Sequence, residues 1–77
     1  MPRGRRSHKA SRALLLRIGR NIASKRREIG WSQPELALRL EVDEMTVSRI
    51  ERGLSNFAIG TLEQIAATLG VSLQELL

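Results

Sequence analysis

The chain is 77 residues long and 42% hydrophobic, with thirteen Lys/Arg against eight Asp/Glu, one His, and no Cys or Tyr. This length makes one small domain with a modest core; the lack of Cys excludes disulfides and thiolate metal sites and suits a reducing compartment. One His leaves little material for acid–base or metal chemistry, and the longest apolar run, residues 13–16, is too short for a membrane span or a signal peptide.

Residues 1–12 (MPRGRRSHKASR) hold Arg3, Arg5, Arg6, Lys9 and Arg12 with no acid and no apolar periodicity, so they read as a disordered basic arm. Residues 13–77 read as the folded domain, and their charges balance. The balance is uneven along the chain. Arg17, Arg20, Lys25, Arg26 and Arg27 precede Glu28, whereas Glu63 and Glu75 are the only charges beyond Gly53. A basic front and an acidic back suit a polyanion partner, and from charge alone a plain solubility role reads equally well.

Ser11 is placed to cap a first helix, in which Leu15, Ile18, Ile22 and Ile29 recur at helical spacing with Lys25, Arg26 and Arg27 on the flanks. Gly30 ends it, since glycine enters the left-handed conformation after a helix at little steric cost. In the next stretch, WSQPELALRL, Ser32 and Glu35 have the spacing of a capping box, and Pro34 falls in the first turn, where no intrahelical N–H is lost. Leu36, Ala37 and Leu40 form the apolar stripe of this second helix. Asp43 then caps a third, predicted over residues 44–52 and stopped by Gly53. LSNFA is a loop. Leu62, Ile65, Ala66 and Leu69 mark a fourth helix closed by Gly70, and Ser72 caps a last turn or two with Leu73, Leu76 and Leu77.

The fold class is therefore all-α, five short helices with no strand pattern and no repeat. The link between the second and third helices is the tightest, about three residues, as in an angled helix-turn-helix pair. Ala37 suits that geometry because a small side chain lets the helices approach. The third helix raises the functional question. Val47 and Ile50 lie on one side, with Glu44, Met45, Ser48, Arg49 and Arg52 on or near the other. Two core contacts are few for a helix that only packs.

The stretch IGRNIASKRREIGWSQPELALRLEVDEMTVSRIERGL, followed by TLEQIAATLGVSLQELL, resembles the Cro/CI-type (Xre family) helix-turn-helix DNA-binding domain over residues 18–77. The most specific pieces are Ser32-Gln33 with Glu35-Leu36-Ala37, Val47-Ser48-Arg49-Ile50-Glu51 with Gly53, and Ile65-Ala66 with Leu69-Gly70-Val71. The resemblance implies a lambda-repressor-like domain of five helices that binds double-stranded operator DNA, usually as a symmetric homodimer. It also implies that the third helix lies in the major groove, with Glu44, Met45 and Arg49 at base-contacting positions and Ser48 beside them. Arg49 would pair in two-pronged fashion with guanine O6 and N7; Glu44 would accept from a cytosine amino group or hold Arg49; Met45 would touch a thymine methyl. Gln33, Thr46, Arg52 and Asn56 match phosphate-contacting positions, and Arg20 is a further candidate. Arg26 and Glu51 resemble the family's structural ion pair between the first and third helices. Trp31 is expected to cover the junction of the first two helices rather than stack on a base.

The match departs from the family at three places. Glu41 stands in the turn where Gly is common; either the backbone takes positive φ at a cost on the order of 1 kcal/mol, or the turn differs. Ala58 replaces a capping Ser, so the fourth helix is expected to start later, at Thr61. Asp43 and Glu44 form an acidic pair beside the groove, acceptable if the first caps and the second reads cytosine. Arg3, Arg5 and Arg6 of the arm are candidates for a narrow minor groove, with an uninvolved tail as the alternative.

One recognition helix reads few base pairs, so a dimer is expected, with half-sites about 34 Å apart on a palindrome. Its candidate contacts are Leu54, Phe57, Leu76 and Leu77, with closure of the monomer core as the alternative. The leading expectation is a sequence-specific transcriptional regulator, a repressor acting by occupancy, in the cytoplasm and on the nucleoid while DNA-bound. The competing one is a protein-interaction module, such as the antitoxin of a toxin–antitoxin pair, with an unknown protein partner. An enzyme fits worst: no nucleophile–base set or metal spacing is present, no cofactor is called for, and His8 lies in the arm.

Overall fold

The computed structural model describes residues 11–77. Five helices follow in order: α1 (Arg12–Ile29), α2 (Gln33–Leu40), α3 (Glu44–Glu51), α4 (Ile59–Leu69) and α5 (Leu73–Leu76). Helix starts are set by short side chains that satisfy otherwise orphan N–H groups. Ser11 Oγ accepts from Leu14 N at 3.1 Å, Ser32 Oγ from Glu35 N at 3.2 Å, and Asp43 Oδ1 from Thr46 N at 2.8 Å. Arg12, at the edge of the basic arm, is the first residue of α1.

Two starts differ from expectation. The Ser32–Glu35 box forms only in half, because the Glu35 carboxylate instead accepts from Arg39 Nε at 2.8 Å, one turn on. The complete box is at α5, where Ser72 and Glu75 bond reciprocally. Helix α4 does not wait for Thr61. It begins at Ile59 with Ala58 as an extended cap residue that makes no side-chain bond. The Ala58 carbonyl accepts from Thr61 N and Leu62 N, and burial of Leu62 and Ile65 holds the first turn in place of a capping hydroxyl.

Four helices stop in the same way. An N–H two residues past the end of α1, α2 and α4, and three past that of α3, reaches back five residues: Trp31 to Arg26, Val42 to Ala37, Leu54 to Arg49, and Val71 to Ala66. This closure needs a left-handed residue just before it. Gly30, Gly53 and Gly70 supply three of them, and Glu41 supplies the fourth at φ 61°, ψ 41°. The turn between α2 and α3 thus keeps the glycine-type geometry with a side chain that disfavours it. Glu41→Gly is expected to raise stability by about 0.5–1 kcal/mol. Thermal unfolding followed by circular dichroism would read this as a midpoint higher by a few degrees; an unchanged or lower midpoint would show that the turn is not strained.

The core joins one stripe from each helix: Ile18 and Ile22 of α1, Leu36, Ala37 and Leu40 of α2, Val47 and Ile50 of α3, Leu62, Ile65, Ala66 and Leu69 of α4, and Leu76 of α5. Helix α3 packs against α2 and α1, and α5 closes the far end against α1 and α4. Ile29 is not part of the core; it is 43% exposed. The inward face of α1 runs instead through Ile18, Ile22 and Arg26, spaced by four. Leu76, a candidate for a partner surface, is fully buried and therefore closes the monomer core.

Gly19 fixes the distance between α1 and α3. A Cβ built there would lie 2.5 Å from the Ile50 carbonyl oxygen and 2.6 Å from that of Glu51. The two backbones meet where no side chain fits, and this sets how closely α3 is held.

Candidate nucleic-acid interface

Helix α3 is two-sided. Val47, Ile50 and Glu51 are buried on its back. Glu44, Met45 and Arg49 are exposed on its front, Met45 by 61%, and Ser48 is half-buried beside them. The four residues assigned to base contact thus share one accessible surface. The N-terminus of α3 is held by Asp43, whose Oδ1 accepts from both Thr46 N and Thr46 Oγ1 at 2.8 and 2.7 Å. The Thr46 hydroxyl bond, followed by the backbone bond, lowers the Asp43 carboxyl below its ordinary range, so the cap is charged at neutral pH. Thr46, a candidate phosphate contact, uses its hydroxyl in that cap.

The back of α3 is tied to α1 by an ion pair. Arg26 Nε donates to Glu51 Oε2 at 2.6 Å and Arg26 Nη2 to Glu51 Oε1 at 3.0 Å, both side chains being less than 10% exposed. Arg26 Nη1 also donates to the Trp31 carbonyl at 2.8 Å. The hydrogen bond to Glu51 raises the Arg26 guanidinium above its ordinary value against the opposing effect of burial. One arginine therefore joins α1, the link that leads into α2 and the end of α3.

Gln33 completes this cluster in a way the sequence did not disclose. Its Nε2 donates to Glu51 Oε1 at 2.9 Å. Its neighbour in the chain, Ser32, occupies Glu35 N with its hydroxyl and Leu36 N with its carbonyl, and Pro34 has no N–H. The Gln33 N–H is left at the tip of α2 without a hydrogen bond among the described residues. Trp31 is half-buried against the core, with the Arg39 guanidinium 4.1 Å from its ring centroid, and this covers the α1–α2 junction.

Beside this cluster lies a polar cleft of about 220 Å³ lined by Arg20, Ala23, Arg27, Gln33, Glu51 and Arg52. It brings Arg20, Arg52 and Gln33 together, three of the residues assigned to phosphate contact. It also adds Arg27, legible in the sequence only as a flank charge. The signal was there to use, since Arg20 and Arg27 are two helical turns apart on one face. Asn56, in the loop before α4, is exposed and does not line the cleft. Arg3, Arg5 and Arg6 lie outside the described residues.

On another side, an apolar groove of about 110 Å³ is lined by Leu14, Leu15, Ile18, Phe57, Ala58, Ile59, Leu62 and Leu77. Phe57 is half-buried in it, Leu77 is 41% exposed at its edge, and Ile59 is 62% exposed. Leu54 is 43% exposed. No helix of the described residues is long and apolar enough to cross a membrane.

A helix-turn-helix family model matches residues 22–76. A hypothetical transcription factor of Neisseria meningitidis serogroup B is 46% identical over 48 residues, 62% of this chain; the match spans only 45% of that protein's length. An uncharacterized helix-turn-helix-type transcriptional regulator of Sinorhizobium fredii is 41% identical over 59 residues, 77% of each chain. Among solved structures, the biofilm master regulator SinR in complex with DNA is 42% identical, with a TM-score of 0.70, over 77% of this chain and 95% of that one. SinR has also been solved with the SinI protein, at 43% identity, a TM-score of 0.70, and coverage of 78% of this chain and 59% of that one. Five helices in this order, a glycine-type turn between α2 and α3 and the family match converge, and the chain belongs to the Xre/Cro-CI-type helix-turn-helix family of transcriptional regulators.

Proposed function

We propose that this chain is a sequence-specific DNA-binding regulator that seats α3 in a major groove. One observation carries the reading: a short helix anchored by Val47, Ile50 and Glu51 turns Glu44, Met45 and Arg49 outward. Arg49 pairs with guanine O6 and N7, Glu44 accepts from a cytosine amino group, Met45 meets a thymine methyl, and Ser48 contacts a neighbouring base. Gln33, Arg52, Asn56 and Arg20 hold backbone phosphates and fix the register, while Thr46, whose N–H and hydroxyl both donate to Asp43, serves the cap. Similarity to SinR, which has been solved in complex with DNA, supports a DNA-binding reading.

Two copies related by a two-fold axis read a palindrome and repress by covering the promoter. The dimer forms around the apolar groove, through Leu54, Phe57 and Leu77 with exposed Ile59 beside them. The same groove favours a second reading, in which it receives a different protein, as in an antitoxin.

Selection of bound sequences from a random duplex pool tests the first reading. The expected result is one enriched motif with two-fold symmetry and half-site centres about one helical turn apart. Arg49→Ala is expected to lose the preference at one position per half-site, worth roughly 1–3 kcal/mol of discrimination, while keeping the others. A pool that shows no enrichment would favour the protein-binding reading.

A further inference from the structure

The polar cleft holds more positive charge than the chain itself neutralises. Arg20 and Arg27 rise from α1 seven residues apart, and Ala23 between them leaves the gap open. Arg52 enters from the end of α3, where its Nε donates to the Ser48 carbonyl at 3.3 Å and its terminal nitrogens are left for another acceptor. Glu51 is the one acid in the cleft, and both its oxygens already accept from Arg26, one also from Gln33. Among the described residues, the ion pairs of this chain engage Lys25, Arg26 and Arg39, and none engages Arg20, Arg27 or Arg52. Three guanidinium groups facing one cleft repel one another. An anion with several acceptor oxygens relieves that repulsion, and guanidinium pairs with phosphate in two-pronged fashion.

The cleft also has a defined position relative to the reading face. Arg52 lies one helical turn beyond Ser48 and Arg49, so the cleft borders the side chains that face the bases. A sugar–phosphate backbone beside an occupied major groove would run along that border.

We propose that Arg27 is a DNA-phosphate-contacting residue and that Arg20, Arg27 and Arg52 act together as a clamp on the backbone flanking the groove that α3 enters. The inference rests on the DNA-binding reading and deepens it. The clamp joins α1 to the end of α3, so binding a phosphate there fixes both against the duplex. It carries no sequence information and adds affinity on any duplex.

The test is fluorescence anisotropy with a labelled duplex of arbitrary sequence over a series of salt concentrations, for the wild type, Arg27→Ala and Arg27→Lys. Arg27 is exposed, so its replacements are expected to unfold at the wild-type temperature. In a plot of log affinity against log salt, Arg27→Ala is expected to lower the steepness by about 0.9. Its affinity should fall several-fold and to the same extent on duplexes of different sequence. Arg27→Lys should restore most of the steepness, since it keeps the charge. Equal slopes for the wild type and Arg27→Ala would overturn the clamp while leaving DNA binding intact. A wild type that binds no duplex at all would overturn the DNA-binding reading and the clamp with it.

Discussion

Glu51→Ala is expected to lower stability by about 3–5 kcal/mol. The reason is what the substitution leaves behind. Arg26 is 7% exposed and directs two nitrogens at the Glu51 carboxylate, so its charge would remain buried without a counterion. The Gln33 amide would lose its acceptor as well. A domain of this size has roughly 5–15 kcal/mol in all, so the loss is a large fraction of the total. Chemical denaturation would read it as a lower midpoint. Arg26→Ala should have a comparable effect from the other side. The double replacement Arg26→Met with Glu51→Leu should recover much of the loss, because a well-packed apolar pair removes both desolvated charges. A single Glu51→Ala variant as stable as the wild type would show that the pair is hydrated and does not tie α3 to α1.

Gly19→Ala is the second large effect, and it acts on geometry. The new methyl would meet the carbonyl oxygens of Ile50 and Glu51, which are backbone atoms of α3 and cannot rotate away. Overpacking of this kind typically costs about 1–3 kcal/mol. Alanine's better helix propensity, worth up to about 1 kcal/mol over glycine, offsets only part of it. The chain can relieve the clash only by moving α3 outward, which changes the angle at which Glu44, Met45 and Arg49 are presented. Thermal unfolding should therefore begin at lower temperature, and affinity for the selected duplex should fall by more than the loss of folded protein explains. If both quantities stay at wild-type values, the α1–α3 contact does not set the position of the reading helix.

These effects separate what the sequence reveals from what it conceals. Local signals were legible. Ser11, Ser32, Asp43 and Ser72 cap as their spacing suggests, and Gly30, Gly53 and Gly70 stop their helices, because each device involves residues within one turn. The unusual Glu41 was legible as a departure, and the backbone accepted the left-handed conformation rather than re-forming the turn. The face of α3 could be read because its two sides differ so sharply in polarity.

The rest depended on contacts far apart in the chain. Ala58 gives no capping signal, yet α4 starts directly after it because Leu62 and Ile65 are already fixed in the core. Glu35 had two partners within reach and took Arg39. Ile29 lies on the helical period but beyond the neighbours that would bury it, and Leu76 fills the closing space between α1 and α4. Gly19 sits mid-helix, where a glycine looks like a weakness until the opposing backbone of α3 is known. Gln33 and Arg27 were ambiguous for the same reason, since exposed polar residues acquire meaning only from what they face.

The account rests on the outward surface of α3 being the surface that meets DNA. Amide chemical shifts of the labelled chain, followed while duplex DNA is added, test this most directly. The predicted result is that the largest changes fall on residues 44–52 and on the tip of α2 around Gln33, with α4 and α5 little affected. Changes concentrated on residues 54–77, with residues 44–52 unmoved, would contradict it.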